Sequence, residues 1–409
     1  MIKYVHFLGI GGSGASAAAA IAQAQGFEVT GCDLEPHNEF TTQFKPQQLL
    51  TGHSGLHLSG VNVIAITPAI TSLDPNNEEL LEAKKRGIEV LTWQEFMGKY
   101  LQKDKFVIAI CGTHGKTTTT AMIAQILEDA NLDPIVEVGA IVPKWGKNYR
   151  LGHSKYFVIE ADEFNDNFLH LKPDITVVTN IEMDHPEYFK DFAAVKKSFA
   201  KFKNQSKKVI DKPNPKLINF ALQVPGDFNI LNASLAYKVG LLLAINPQTI
   251  KSSLQNYTGV SRRFEYLGNY KGAKVYSDFG HHPTEIRETM KAAREKFPSR
   301  RIILIYQPHM FSRTKALFDD FVKVFKELPA DKTFIMDIYP SREVDTGSIT
   351  SNQLVEAVGK DNVVYIGSTP QVLEKLKPEI KDRDLVFFMS AGDTDYLAKA
   401  LAIKKATKV

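Results

Sequence analysis

Short runs of apolar, mostly β-branched residues alternate along the chain with longer stretches whose apolar positions recur at helical spacing. This alternation is typical of α/β domains, in which strands of a parallel sheet are joined by crossover helices. The predicted strands are Tyr4–Leu8, Phe27–Cys32, Val61–Ile66, Glu89–Leu91, Phe106–Cys111, Tyr156–Glu160, Ile175–Thr179, Lys274–Asp278, Arg301–Tyr306, Thr333–Ile338, Val363–Ile366 and Leu385–Ser390. The predicted helices include one ending near Gln25, one over Thr119–Ala130 and one over Asn229–Ala244. A polar, lysine-rich stretch, Lys201–Pro215, is predicted to be a loop or an edge connection.

Two breaks divide this pattern into three blocks. A charged stretch, Lys99–Lys105, precedes a new strand, and a third block begins near Gly259. The prediction is therefore an α/β protein of three consecutive domains: a Rossmann-like N-terminal domain (1–103), a central domain (104–259) and a Rossmann-like C-terminal domain (260–409). In the central domain a strand, a short loop with two glycines and a helix follow one another over residues 106–130, which is typical of an ATPase-type domain with a phosphate-binding loop.

Composition narrows the functional class. The 409 residues carry a formal net charge of only +4, which gives no reason to expect a nucleic-acid partner. The two cysteines exclude a disulfide scaffold and a cysteine-rich zinc module. Glycines interrupt the apolar N-terminus before it forms a signal-peptide core, and no apolar run is long enough to span a membrane. We therefore expect a cytoplasmic protein without a membrane partner.

A glycine-rich turn follows the first predicted strand and opens a helix. Such a turn lets the backbone approach a diphosphate at the helix N-terminus, and an acid at the end of the next strand is placed to meet a ribose. These residues leave the ligand open between NAD and another diphosphate such as a UDP-sugar. The candidate binding residues are Gly9, Gly11, Gly12, Ser13, Gly14 and Asp33.

A second loop carries a stronger signal for ATP. It follows an apolar strand, opens a helix and supplies small residues, a lysine for the β- and γ-phosphates and a hydroxyl for Mg²⁺. Ile110 stands where the first glycine of the common phosphate-loop motif would fall. The loop residues are Gly112, Thr113, His114, Gly115, Lys116, Thr117 and Thr118.

Acidic and imidazole groups follow two later strands of the same block. Glu160 ends one predicted strand, and His185 closes the segment after another. Because ligands bind at the carboxyl ends of parallel strands, these two side chains are candidates for a second divalent cation beside the phosphates.

The third block places polar segments after two consecutive strands. Asp278, His281 and His282 follow the first, and His309 and Arg313 follow the second. Adjacent histidines point in different directions and no third ligand is evident, so contacts to nucleotide or substrate are favoured over a zinc site. An arginine here can hold a carboxylate through two hydrogen bonds.

An arginine pair, Arg262 and Arg263, stands at the entry to the third block. The pair is equally compatible with a contact to the γ-phosphate and with a solvated surface.

Taken together, these motifs resemble the Mur ligase family over nearly the whole chain. The matching segments, in order, are 6–14, 112–119, 160–163, 179–185, 225–233, 259–264, 278–285 and 307–314.

The resemblance implies three domains that bind UDP-N-acetylmuramate, ATP and an amino acid in turn, and an ADP-forming ligase that joins L-alanine to the sugar carboxylate through an acyl phosphate. It implies two Mg²⁺ ions, one at Thr117 and one at Glu160 and His185. Lys116, Glu160, His185 and Arg263 are the implied catalytic residues. The resemblance also implies that Asn229 and Asn232 lie near the adenine. It implies that Asp278, His281 and one or both of Arg262 and Arg263 contact the nucleotide. The glycine turn and the side chains of His282, His309 and Arg313 are implied to contact the other substrates.

Three alternatives stay open. Met310 stands where the family usually has an arginine, so the amine is L-alanine or another amine such as glycine, serine or a peptide. Phe228, Ala15 and the short segment 186–225 also depart from the family pattern. A non-catalytic nucleotide or UDP-sugar binding protein is a second alternative, and an NAD-dependent dehydrogenase, which explains only residues 9–33, is a third. The sequence leaves the oligomeric state open between monomer and homodimer.

Overall fold

The computed structural model describes residues 4–402 and shows a three-domain α/β fold built on three sheets. Residues 1–3 and 403–409, which fall in the first and third predicted domains, lie outside the described residues. The described chain divides into two compact units. Unit 1 runs to Glu182 and includes Phe192–Ala221 and Leu231–Tyr257, and unit 2 comprises Met183–Asp191, Leu222–Ile230 and the chain from Thr258 onward.

The first sheet is parallel and lies in unit 1, with strand order β3-β2-β1-β4-β5. Its first helix is alanine-rich, and small side chains let a helix lie close to a sheet. The strands are β1 (Tyr4–Leu8), β2 (Glu28–Asp33), β3 (Leu49–Thr51), β4 (Val63–Ile66) and β5 (Glu89–Thr92), and the helices are α1 (Ser13–Ala24), α2 (Pro68–Leu73), α3 (Glu78–Arg86) and α4 (Trp93–Phe96), with 3₁₀ turns at Pro46–Gln48 and Gly55–Leu58 and a π-helical turn at Met97–Leu101.

The second sheet also lies in unit 1, with strand order β11-β10-β6-β9-β7-β8, and the first residues of α7 belong to unit 2. All neighbouring strands are parallel except β7 and β8, which form an antiparallel pair. The strands are β6 (Phe106–Cys111), β7 (Ile135–Val142), β8 (Lys147–Arg150), β9 (Tyr156–Glu160), β10 (Ile175–Val178) and β11 (Lys208–Ile210), and the helices are α5 (Lys116–Asp129), α6 (Phe192–Asn204), α7 (Asp227–Leu242) and α8 (Pro247–Gln255), with 3₁₀ segments at Phe164–His170 and Pro215–Leu217.

The third sheet lies in unit 2, with strand order β12-β13-β17-β14-β15-β16, and only β12 runs antiparallel to its neighbour. Its two faces are covered by separate apolar clusters, as expected for a sheet with helices on both sides. The strands are β12 (Glu265–Tyr270), β13 (Ala273–Asp278), β14 (Ile302–Tyr306), β15 (Lys332–Met336), β16 (Val363–Gly367) and β17 (Leu385–Met389), and the helices are α9 (Pro283–Lys296), α10 (Phe311–Ala316), α11 (Phe318–Glu327), α12 (Ser351–Val358), α13 (Thr369–Leu376) and α14 (Thr394–Ala402).

The predicted fold class is confirmed, and the buried central strands lie where the sequence placed them. The prediction for Lys201–Pro215 is wrong in part, because this stretch contains the end of α6 and the edge strand β11. The other strands that were not predicted, β3, β7, β8 and β12, also lie at or beside sheet edges. Within residues 4–402, no helix is both long enough and apolar enough to cross a membrane.

Candidate active site

The glycine turn joins β1 to α1, and the carboxylate of Asp33, the last residue of β2, is hydrogen-bonded to its backbone. The backbone N–H of Gly11 donates to Oδ2 of Asp33 at 2.9 Å, so this carboxylate fixes the loop itself. Gly9 has φ +89°, and a Cβ atom there would lie 2.3 Å from Thr67 Cγ2. A Cβ on Gly14 would lie 2.3 Å from the ring of Trp93, so this position serves close packing of the helix.

The phosphate loop joins β6 to α5, and its glycines leave no room for side chains. Gly112 has φ +140°, and a Cβ atom there would lie 1.9 Å from Thr179 Oγ1. Gly115 has φ +80° and directly precedes the first residue of α5, and its Cβ would lie 2.6 Å from Asn232 Oδ1. The loop therefore presents backbone N–H groups at a helix N-terminus, which is the arrangement that binds phosphate.

Side-chain and backbone groups of the segment after β10 hold this loop in place. The N–H of His114 donates to Asn180 Oδ1 at 2.9 Å, and the Asn180 amide donates back to the His114 carbonyl at 3.0 Å. The hydroxyl of Thr113 accepts from the N–H of Glu182 at 2.8 Å. These contacts pre-organise the loop, so little order remains to be gained when a ligand binds.

Lys116 is the cation of the loop, and its ammonium group is buried among acceptors. Nζ donates to the Gly112 carbonyl at 2.6 Å and to Glu163 Oε2 at 2.7 Å. Burial lowers the pKa of Lys116, but the carboxylates of Glu163 and Asp162 outweigh burial and raise it above its usual value. Lys116 is therefore a permanent cation, held in place by Glu163.

Thr117, in the first turn of α5, contacts Glu160, the last residue of β9. The Thr117 hydroxyl donates to Glu160 Oε1 at 3.1 Å, and the N–H of Gly139 donates to Glu160 Oε2 at 2.8 Å. Glu137 is buried on the neighbouring strand, and burial together with Glu160 raises its pKa well above the usual range. The oxygen donors of Thr117 and Glu160 are of the type that Mg²⁺ prefers.

Unit 2 contains a buried ion pair at the start of α10. Arg313 Nε donates to Asp184 Oδ1 at 2.8 Å, and the two side chains are only 2% and 6% exposed. A second nitrogen of Arg313 donates to His309 Nδ1 at 3.1 Å. Burial raises the pKa of Asp184, but Arg313 outweighs this effect and holds it well below its usual value. Burial, His281 and Arg313 lower the pKa of His309 to about 2, so this imidazole is neutral.

The adjacent histidines have different partners. His281 lies near the carbonyl of Phe279, with Nδ1 at 3.1 Å, and burial lowers its pKa to about 3. His282 caps α9 by accepting from the N–H of Thr284 at 3.2 Å, and its Nε2 lies 3.2 Å from the carbonyl of Met183. The two rings therefore do not converge on one ligand.

The arginine pair packs around one aromatic ring. The guanidinium carbons of Arg262 and Arg263 each lie 4.9 Å from the ring centroid of Phe279. Arg262 also donates to the carbonyls of Ser390 and Gly392 at 2.8 and 2.9 Å. Arg263 is 26% exposed, and its closest carboxylate oxygen, on Glu285, is 3.6 Å away. The side chain of Arg263 is therefore held less firmly by neighbouring protein groups than that of Arg262.

Asp278 ends β13 and accepts from the N–H groups of Phe264 and Gly280, each at 2.8 Å. Burial raises the pKa of Asp278. In unit 2 this side chain therefore shapes the turn that carries the histidines.

The predicted site residues are divided between the units. Unit 1 contains Gly9, Gly11, Gly12, Ser13, Gly14, Asp33, Gly112, Thr113, His114, Gly115, Lys116, Thr117, Thr118, Glu160 and Asn232. Unit 2 contains His185, Asn229, Arg262, Arg263, Asp278, His281, His282, His309 and Arg313.

Comparison with known proteins identifies this combination of loops. Three family models match consecutive parts of the chain: "Mur ligase family, catalytic domain" at residues 4–105, "Mur ligase middle domain" at 110–215 and "Mur ligase, glutamate ligase domain" at 262–392. The chain belongs to the Mur ligase family. Membership makes it an ATP-dependent ligase.

Named relatives of this Mur ligase match it from end to end. UDP-N-acetylmuramate–L-alanine ligase of Acetivibrio thermocellus is 36% identical, covering 96% of this chain and 94% of the relative. The enzyme of the same name from Aquifex aeolicus is 33% identical over 96% and 95% of the two chains. The crystal structure of the UDP-N-acetylmuramate-alanine ligase of Thermotoga maritima matches with a TM-score of 0.79, at 24% identity over 98% of both chains.

The sequence motifs of this Mur ligase included two important side chains whose roles were not predicted. Glu163 lies in the quoted segment 160–163, yet its pairing with Lys116 depends on a backbone turn after β9. Asp184 lies in the segment 179–185, yet its partner, Arg313, is 129 residues away. In both cases the available signal was a carboxylate in the segment that follows a buried strand, after β9 for Glu163 and after β10 for Asp184.

Proposed function

We propose that this Mur ligase joins L-alanine to the carboxylate of UDP-N-acetylmuramate, with ATP cleaved to ADP and phosphate, in peptidoglycan precursor synthesis. The end-to-end match to ligases of that name carries the proposal. The geometry of the Lys116 loop supports it, because the loop holds a buried cation, a hydroxyl and a carboxylate at a helix N-terminus. Its nucleotide substrates make the cytoplasm the expected location.

The reaction needs an activated acyl group, because a carboxylate is a poor acyl donor. A carboxylate oxygen attacks the γ-phosphorus, the bond to the β-phosphate oxygen breaks, and ADP leaves. The free amine of alanine then attacks the acyl carbon, and phosphate departs as the amine loses a proton. In both steps charge accumulates on phosphate oxygens, which a fixed cation such as Lys116 stabilises.

Two Mg²⁺ ions are part of the proposal. The Thr117 hydroxyl would hold one, and Glu160 with His185 would hold the other. Bound Mg²⁺ neutralises phosphate charge and polarises phosphoryl oxygens. The meeting of Thr117 and Glu160 in one hydrogen bond fits an oxygen-ligated ion at this point of the fold.

Of the two arginines, we assign the phosphate contact to Arg263. Arg262 is occupied by two backbone carbonyls, whereas Arg263 is partly exposed and only loosely paired. Arg263→Ala should lower kcat at least about tenfold with stability little changed, because an arginine at the transferred phosphoryl group stabilises transition-state charge. Arg262→Ala, the matched control, should chiefly lower stability.

The substrate contacts follow the resemblance. The turn from Gly9 to Gly14 would bind the UDP-sugar diphosphate, Asn229 and Asn232 would lie at the adenine, and His281 at the nucleotide. Arg313, with His282 and His309, would recognise the amino acid. Because Arg313 is paired with Asp184, we expect it to hold the amino-acid carboxylate through a donor that Asp184 leaves available.

The test is ADP release by the purified protein with ATP, Mg²⁺ and UDP-N-acetylmuramate, with amino acids supplied one at a time. Faster turnover with L-alanine than with any other amine is the expected result. Faster turnover with glycine, serine or a peptide would keep the chemistry but move the specificity, in line with Met310. If the protein binds the UDP-sugar tightly but its turnover with every amine is no higher than that of the Lys116→Ala variant, it is a binding protein instead.

A further inference from the structure

A buried cluster of metal-ligand side chains lies in the first sheet, on residues that the ligase reaction does not use. Strands β1 and β2 pair in parallel with His6 opposite Thr30 and Leu8 opposite Cys32. Because side chains alternate between the faces of a sheet, His6 and Cys32 share one face. Glu79, in the first turn of α3, and His57, in the 3₁₀ turn Gly55–Leu58, come together on this face.

The four donor atoms converge within a small volume. One donor atom each from His6, Cys32, His57 and Glu79 lie within 4.8 Å of one another. Cys32 Sγ is 2.9 Å from Glu79 Oε2, and His57 Nδ1 is 2.5 Å from Glu79 Oε1. Tetrahedral zinc sites place their donors about 3.3–3.7 Å apart, so shifts of about an ångström would complete such a site.

His6 is oriented as a ligand. Its Nδ1 hydrogen-bonds to Thr30 Oγ1 at 2.8 Å, which in turn lies 3.2 Å from the Tyr4 hydroxyl. Its Nε2 faces Glu79 Oε1 at 3.5 Å, is fully buried and has no hydrogen-bond partner among residues 4–402. A histidine whose second nitrogen is fixed by a hydrogen bond presents the first to a metal, as in established zinc sites.

We propose that His6, Cys32, His57 and Glu79 bind one structural zinc ion. A thiolate, two imidazoles and a carboxylate are ligands of a borderline-soft ion, whereas Mg²⁺ and Ca²⁺ take oxygen. None of these four residues is among those assigned above to the nucleotides or to the amino acid.

Zinc binding would proceed with loss of protons and would connect four separate elements. Burial and Glu79 raise the pKa of Cys32, so without metal the thiol keeps its proton and donates it to Glu79. The ion replaces this proton, which leaves to solvent. Cys32 directly precedes Asp33, the residue that fixes the glycine turn, so the ion would stiffen the strand end from which that turn is held.

The experiment measures metal in the full-length protein, purified without chelator. We expect one zinc per chain by elemental mass spectrometry, and recovery of one Co²⁺ after chelator treatment. Bound Co²⁺ should show intense near-ultraviolet thiolate-to-metal charge-transfer absorption and visible tetrahedral bands. Added zinc should displace the Co²⁺ and raise the midpoint of thermal unfolding above that of the metal-free protein.

Substitutions assign the ligands. Cys32→Ser should abolish the charge-transfer band, whereas Cys111→Ser, which changes the chain's other buried cysteine, should leave it intact. His57→Gln should lower the affinity for zinc at least about tenfold, whereas substitution of the exposed His37 by Gln should leave that affinity unchanged. Because His57 is partly exposed, this variant should fold even if Cys32→Ser does not.

Two results would overturn the proposal. One is a wild-type protein that takes up no Co²⁺ with a thiolate band. The other is a band that survives Cys32→Ser but disappears in Cys111→Ser. In either case the cluster would be a proton-sharing network around the buried carboxylate of Glu79.

Discussion

The ion pair between Asp184 and Arg313 allows a quantitative test. At 2.8 Å, the attraction between two unit charges is about 6 kcal/mol at an effective dielectric constant of about 20. Removing both charges from water costs several kcal/mol per ion, so the pair as a whole contributes little net stability. Removing one partner is different, because the other charge stays buried and uncompensated. Such a loss costs about 3–5 kcal/mol.

The perturbation is a double-mutant cycle. Asp184→Asn removes the charge but keeps an oxygen for the N–H of His185, and Arg313→Met removes the guanidinium at similar length. We expect each single substitution to lower the free energy of unfolding by about 3–5 kcal/mol. The double variant should lose less than either single one, because neither charge is left unpaired.

The assay is urea unfolding followed by far-ultraviolet circular dichroism, with hydrogen exchange of α10 peptides as a local readout. The matched control is Arg383→Met, which breaks an exposed pair with Asp382 and should cost no more than about 1 kcal/mol. The reasoning is refuted if Arg313→Met costs no more than this control. It is also refuted if the double variant loses the sum of the two single losses.

Further predictions concern the phosphate loop and pH. Lys116→Ala should abolish turnover but leave UDP-N-acetylmuramate affinity within about twofold in calorimetry, because the glycine turn lies on another sheet; equal loss of both would contradict the site assignment. Gly112→Ala should lower the affinity for ATP at least about tenfold, because its Cβ would lie 1.9 Å from Thr179. Gly146→Ala, at a position with open space around it, should leave the affinity for ATP unchanged. His281 has a folded pKa of about 3 against about 6.5 when unfolded, so the unfolded chain binds the extra proton and stability falls as pH drops below 6.5. At pH 5 this one residue should cost about 2 kcal/mol, and His281→Gln should flatten unfolding free energy against pH by that amount; an unchanged slope would contradict the neutral imidazole.

Buried parallel strands could be predicted from the sequence because burial on both faces gives continuous apolar runs. β1 and β9 match their predicted ranges. The edge strand β8, Lys147–Arg150, is polar and short, and no run of hydrophobic residues marks it. Edge strands are paired on one side only, so their sequences carry less information about the sheet.

The local motifs of the candidate site were predictable, but their long-range partners were not. A lysine at a helix start after a glycine loop indicates phosphate, and Lys116 lies at that point. Its pairing with Glu163 and that of Arg313 with Asp184 depend on how distant segments meet. The spacing of residues along the sequence does not predict which distant side chains come into contact. The site assignments at the glycine turn and at Arg313 stay predictions.

Met310 directly precedes α10 with φ +73° and is almost fully buried. This backbone conformation penalises every residue with a Cβ atom, so methionine and the arginine usual in the family suffer the same penalty. Exchange between them is therefore neutral in backbone energy, and only the chemistry of the side chain distinguishes the two. An arginine here would bring a charge into an almost fully buried position, so the exchange is between a buried charge that needs a partner and an apolar side chain that needs none.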